Sequence, residues 1–163
     1  MKIKRLFDDM GVSSYIPMHY AFTGEGANRK RELVPAIHNL IFVQSTQDTL
    51  TGLKMRDKEF DCLRYIIRRG FNGTRGEIIH VPDSQMENFI KATSVADDHL
   101  RYLNYCDDSL EKGIKVMVTN GVFAGVTGVV KRIKKNKCVV ICIEDVAAVA
   151  IAYVPKEQLE VMV

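Results

Sequence analysis

Seven cations stand between residues 112 and 137, at Lys112, Lys115, Lys131, Arg132, Lys134, Lys135 and Lys137, with no anion among them. Two further basic clusters are Arg29-Lys30-Arg31 and the set Arg64, Arg68, Arg69 and Arg75. Such side chains suit phosphate, and they equally suit the solvated faces of loops and strands. The formal net charge is only +3, too small for a chain that grips duplex DNA mainly by releasing counterions. No set of residues has the spacing of a catalytic centre. His19, His38, His80 and His99 are scattered, and none has an acid or thiol at a fixed local distance. The adjacent carboxylates Asp8-Asp9, Asp97-Asp98 and Asp107-Asp108 point apart on a helix and read as solvated caps. Gly-Phe-Asn-Gly-Thr-Arg-Gly at 70–76 lacks the Gly-Lys-Ser/Thr of a phosphate loop and reads as a hairpin turn. The cysteines, Cys62, Cys106, Cys138 and Cys142, form no Cys-x-x-Cys and have no His at ligand spacing. Cys138 and Cys142 are four residues apart on one strand face, too far for a bridge. Buried, reduced thiols are expected, and neither a metal nor a cofactor is implied.

The elements that must position these groups are legible as periodicities. Ile114, Val116 and Val118 alternate with Lys115, Met117 and Thr119, and β-type runs follow at 128–133 and 138–143. Gly121, Gly125 and Gly128 punctuate the first connection, where positive φ or close backbone approach is needed. Lys134-Lys135-Asn136-Lys137 forms a basic turn in which Asn136 is the residue suited to a left-handed conformation. Val146 to Val154 mixes helix-favouring alanines with strand-favouring valines; its length between Asp145 and Pro155 suits a fourth strand, and 159–163 a fifth. The result is a small β-barrel with a positively charged tip.

In the first half, Ile3, Leu6, Phe7 and Met10 form the stripe of an amphipathic helix stopped by Gly11. A strand is expected at 12–18, a long hairpin or loop at 19–32, and the strongest strand at 36–44. Thr46 caps a helix from Gln47 to about Arg56, weakened by Gly52. A strand follows at 63–68 and a short extended piece at 78–81. Ser84 and Glu87 make a capping box for a third helix, in which Met86, Phe89 and Ile90 share a face. Residues 95–110 read as a linker, partly helical through Leu100 and Leu103.

The string Val116, Val118, Gly121, Phe123, Gly125, Gly128, Val130 resembles the KOW motif, found in ribosomal proteins and NusG-type transcription factors. Tyr15-Ile16-Pro17, the stretch Pro35 to Val43 and the order of the two halves resemble the NusG family, the specialised antitermination paralogues most of all. Pro35, Asn39, Phe42 and Val43 keep that family's type, while Ile37, His38 and Leu40 replace Phe, Pro and Tyr. The resemblance implies an α+β chain. An RNA-recognition-like antiparallel sheet with helices would occupy residues 1–94 and a linker 95–110. An SH3-like, five-stranded KOW barrel would occupy 111–163. The family begins with a Trp-Tyr strand before its first helix; this chain begins at the helix, so either the start lies upstream or the sheet is rearranged.

What the resemblance implies is binding rather than catalysis. Tyr15, Ile37, Leu40 and Phe42 would meet RNA polymerase. Lys30, Arg31, Arg68, Arg69 and Arg75, with Lys134 and Lys135 at the barrel tip, would contact the non-template DNA strand or nascent RNA. Ser45 to Thr49 is either a second polymerase contact or a helix cap. Phe123 and Val126 hold the loop through which NusG proteins engage ribosomal protein S10 or termination factor Rho, although Phe123 could equally plug the barrel. Val126 replaces a family aromatic, so S10 is the partner expected there and Rho is not. The expected activity is transcription elongation or antitermination; the alternative is a ribosome- or RNA-binding KOW protein. No apolar run reaches the roughly 18 residues of a membrane span, and the N-terminus has no signal-peptide core, so cytoplasmic residence is the expectation.

Overall fold

The computed structural model describes residues 2–68, 70, 76–103, 112–133 and 135–162. The chain is α+β. Among the described residues it forms three α-helices and twelve strands, grouped by backbone contacts into two compact units. One comprises Met1–Ile16 and His38–Ile79; the other comprises Pro17–Ile37 and His80–Val163. Residues 17–37 and 80–94, placed in the N-terminal half on sequence grounds, fall in the same contact unit as the C-terminal strands.

In the first unit, helix α1 (Lys2–Asp9) buries Phe7, and the Phe7 ring packs 5.2 Å from that of Phe60. Gly11 ends the helix at φ +69°. The Val12 N–H donates to the Phe7 carbonyl at 2.8 Å and the Gly11 N–H to the Asp8 carbonyl at 3.0 Å, the paired bonds of a Schellman stop. Strand β1 (Ser14–Tyr15) is shorter than expected, because Pro17 cannot donate to a ladder. The strong strand expected at 36–44 is reduced to two residues. Asn39 adopts φ +57°, and the turn it makes leaves only Phe42–Val43 to pair with β1. Helix α2 (Gln47–Arg56) starts where its cap predicts, the Thr49 N–H donating to Thr46 Oγ1 at 3.2 Å. The strand expected at 63–68 shrinks to Ile67–Arg68, which pairs with Glu77–Ile78. The Arg64 guanidinium curls onto the carbonyls of Asp61 and Leu63 and holds that stretch in a turn.

In the second unit, β2 (Met18–Thr23) and β3 (Lys30–Pro35) form a six-pair antiparallel hairpin. Helix α3 (Asp83–Thr93) begins after Pro82, one residue before the expected capping box. Proline's ring holds φ at −59°, and Ser84 falls inside the first turn, where it makes no cap. Leu100–Leu103, expected as partly helical linker, is strand β7, because it finds an open ladder on β11 (Ala147–Ala152). The C-terminal part of that expected linker, 104–110, lies outside the described residues.

The β-type runs fold into one antiparallel sheet. It contains β8 (Lys115–Val118), β9 (Thr127–Ile133), β10 (Asn136–Ile143), β11 (Ala147–Ala152) and β12 (Leu159–Val161), in the order β12-β8-β9-β10-β11-β7. The strand reading of the alanine-rich run is correct, and every residue of β11 is buried. Two-residue periodicity gives the sheet two apolar faces. Val139 and Ile141 stand opposite Ile151 and Val149 on one, while Cys138 and Val140 share the other with Ala148, Ala150 and Ala152. Those small residues form a buried cluster with Leu103, Ile133 and Cys142, and the first turns of α3 line a pocket together with Val129, Val140 and Cys142. The Asn88 amide extends the ladder, donating to the Thr127 carbonyl at 2.8 Å and accepting its N–H at 2.9 Å. Gly128 permits the curvature: a Cβ there would stand 2.6 Å from the Val140 carbonyl oxygen.

Candidate functional site

The sequence-predicted residues separate into distinct surfaces. Tyr15 and Phe42 are brought directly opposite each other across β1 and β4 (Phe42–Val43), both half-buried. Leu40, also half-buried, lies in the same unit, and half-buried Ile37 belongs to the other. The Ser45–Thr49 cluster contains the cap of α2, in which the Thr46 and Thr49 hydroxyls stand 2.8 Å apart.

Phe123 and Val126 lie in the glycine-rich loop between β8 and β9 but face inward, at 8% and 0% exposure. The expectation that they present a partner surface is therefore corrected. The Val118 N–H donates to the Val126 carbonyl at 2.9 Å, which turns the Val126 side chain into the core. The large exposed apolar residue of that loop is Val122.

Of the basic residues, Lys30 and Arg31 point to opposite faces of the hairpin, since they are neighbours on one strand. Arg68 stands opposite Glu77 across the β5–β6 ladder (Ile67–Arg68 with Glu77–Ile78). Arg69, Arg75 and Lys134 lie outside the described residues. Lys135, rather than Asn136, takes the left-handed position, at φ +72°. The pairing of Ile133 with Asn136 makes Asn136 the first residue of β10. Behind it Arg132 stands directly opposite Lys137, two cations with no ion-pair partner among the described residues.

Reading charge alone missed the aromatic residues between these cations. On the hairpin, Phe22 pairs with Arg31 and Tyr20 with Leu33, so all four share one face. That face is open: Phe22 is 63% exposed and Tyr20 46%. The Arg29 guanidinium lies 4.6 Å over the Phe22 ring and that of Arg31 4.6 Å over Tyr20. Arg31 also donates to both Asp98 carboxylate oxygens, at 2.8 and 3.0 Å. Next in the chain, His99 meets the Tyr153 ring edge-on at 6.1 Å between centroids. Tyr153 is 63% exposed, holds φ +61° and accepts from Asn136 Nδ2 at 3.4 Å. A bulky side chain at positive φ is rare outside constrained sites. Alternation of Tyr20 and Phe22 in a candidate hairpin was the available signal.

Asp97 steadies the joint. Its Oδ1 accepts the His99 backbone N–H at 2.7 Å and lies 2.6 Å from His99 Nδ1; the backbone bond foremost, then the imidazole, hold its carboxyl below the usual range against a modest desolvation. The thiols differ from expectation. Cys138 is free and buried, its titration pushed up by burial; Cys62 is free but exposed; Cys142 is disulfide-bonded. Among the described residues no three His, Cys, Asp or Glu side chains are placed to hold a metal ion. No helix there is long and apolar enough to cross a membrane. Comparison with protein-family models, curated proteins and solved structures finds no match.

Proposed function

We propose that this chain is a non-enzymatic transcription elongation factor of the NusG type, which binds RNA polymerase and suppresses pausing or premature termination. The observation that carries the reading is the strand order β12-β8-β9-β10-β11. The first of the five C-terminal strands lies between the second and the fifth, as an SH3-like KOW barrel over residues 111–163 requires. The glycine string that resembles the KOW motif occupies the β8–β9 connection of that order. The finer reading of residues 1–94 as an RNA-recognition-like module draws on sequence resemblance and on the alternation of helices with short strands.

On this reading the cross-strand pair Tyr15–Phe42, with Leu40, supplies a polymerase contact on the first unit, Ile37 is a separate candidate on the other, and residence is cytoplasmic. S10 is the partner at the barrel loop; Rho is not, and Val122 is the residue there able to touch one. The factor acts by differential affinity. A preference of about 1–3 kcal/mol for the elongating over the paused enzyme is enough to shift the population several-fold or more. The test is retention of the full chain on purified core polymerase, followed by single-round pausing assays. Shortened pauses are expected, and Phe42→Ala should weaken both readouts. No retention, together with unchanged pause lifetimes at saturating protein, rejects the proposal.

A second reading, an RNA-binding KOW protein without polymerase affinity, is favoured by the opposed, unpaired cations Arg132 and Lys137. Binding to bare RNA that falls steeply with salt, with no polymerase retained, would decide for it.

A further inference from the structure

We infer that the trough between the first turns of α3 and strands β8, β9 and β10 binds a small apolar carboxylate, an alkyl or aromatic acid. The inference does not depend on polymerase binding, and either can fail alone. The trough lies within one compact unit and has a volume of about 480 Å³, which suits a small molecule. Register builds its floor. Lys115 stands opposite Val129 and Val129 opposite Val140, so the three form one row on one face of the sheet. Cys142 lies two residues beyond Val140 and so on that same face. Helix α3 packs on β10 and β11, and Ser84 and Gln85 of its first turn line one side of the trough. Met162 lines the other, where its N–H donates to the Lys115 carbonyl at 2.9 Å.

The lining selects the ligand. Val129, Val140 and Met162 offer alkyl surface to a chain or ring. Asn88 is already committed, since its amide holds the Thr127 backbone at both ends. The Ser84 hydroxyl makes no helix cap, and neither it nor the Gln85 amide has a hydrogen-bond partner among the described residues. The one charge in the lining is Lys115, which is exposed and has no ion-pair partner among the described residues. No described carboxylate lines the trough, and Glu160, on the neighbouring strand β12, stands opposite Met117 instead. An apolar floor, neutral hydrogen-bonding groups and a single cation match an apolar body that carries one carboxylate. A bare phosphate would leave the floor uncovered. An amine would face the Lys115 ammonium, and a hydrocarbon would leave that ammonium unanswered.

The test uses the full chain without reductant, and octanoate, 1-octanol and octyltrimethylammonium as probes, each below its micelle concentration. Binding is read by calorimetry and by amide chemical shifts. Octanoate should bind at one site and shift the amides of Ser84, Gln85, Lys115 and Val129. The alcohol should bind about fivefold more weakly, the loss of one partly exposed charge-assisted hydrogen bond, and the ammonium more weakly still. Lys115→Met keeps the apolar stem, so it should cost octanoate about that fivefold and leave the alcohol unchanged. Lys115→Arg should retain octanoate binding, and Ser84→Trp should close the trough to acid and alcohol alike. Both positions are exposed, so unchanged thermal unfolding of the ligand-free variants serves as the folding control. No saturable octanoate binding, shifts confined to residues outside the trough, or equal loss of acid and alcohol in Lys115→Met each overturn the inference. Alcohol or ammonium bound as tightly as the acid would also overturn it, leaving an uncharged or cationic apolar molecule as the occupant.

Discussion

Asp97 illustrates how one residue ties a turn to solution conditions. The His99 N–H favours its ionised form, so the folded chain holds that proton less tightly than the unfolded chain does. Its contribution is complete above the ordinary carboxylate pKa and is lost as pH falls through the lowered folded value. The stability gap between the wild-type chain and Asp97→Asn, read from urea unfolding, should therefore narrow as pH falls through and below the ordinary carboxylate range. The cysteines give a second residue-scale prediction. In the native protein iodoacetamide should modify Cys62 and spare Cys138, whose thiol is buried and titrates high. Cys142 should become reactive only after a reductant is added. Peptide mapping with and without reductant and denaturant checks both statements.

Among the elements, α2 was the most legible, because its start depends on a local event, a threonine oxygen accepting the N–H three residues on. Its weak point was equally legible. Gly52 lies inside the helix, and a Cβ there would meet nothing within 4 Å. Gly52→Ala should raise the stability of the unit by about 0.5–1 kcal/mol, measured as a shift in the urea midpoint at constant slope. The stretch at 36–44 misleads for the converse reason. Its β-branched and aromatic residues suit a strand, but the φ of Asn39 turns the chain out of the extended form. Propensity averages over a window, whereas one dihedral decides the path.

For the whole molecule, the two units differ in how their backbone groups are paired. The first holds two-stranded ladders, β1 with β4 and β5 with β6. The second places β10 and β11 between neighbours on both sides, with their side chains almost wholly buried. Amide hydrogen exchange should be slowest in β10 and β11 and faster in β1, β4, β5 and β6, because two-stranded ladders open locally at lower cost. Equal protection across both units would contradict that ordering. The same contrast explains why function is sought at the margins: the centre of the sheet is occupied by packing, and the most exposed aromatic rings of that unit, Phe22 and Tyr153, stand on the hairpin and just beyond β11.

The sequence by itself determined the five C-terminal strands, the stop of α1, the cap of α2 and the basic character of the β9–β10 turn. Each follows from residues within a few positions of one another: alternation, a glycine at positive φ, a capping hydroxyl. Only the tertiary structure decided that Leu100–Leu103 is a strand, since its partner lies on β11, far along the chain. It also decided that Val126 is core and Phe22 surface. Alternation sorts side chains into two faces, but which face is covered depends on what distant segments bring against it. The line from Arg31 through Asp98 and His99 to Tyr153 and Asn136 exists only because three remote stretches meet, a fact no local pattern carries.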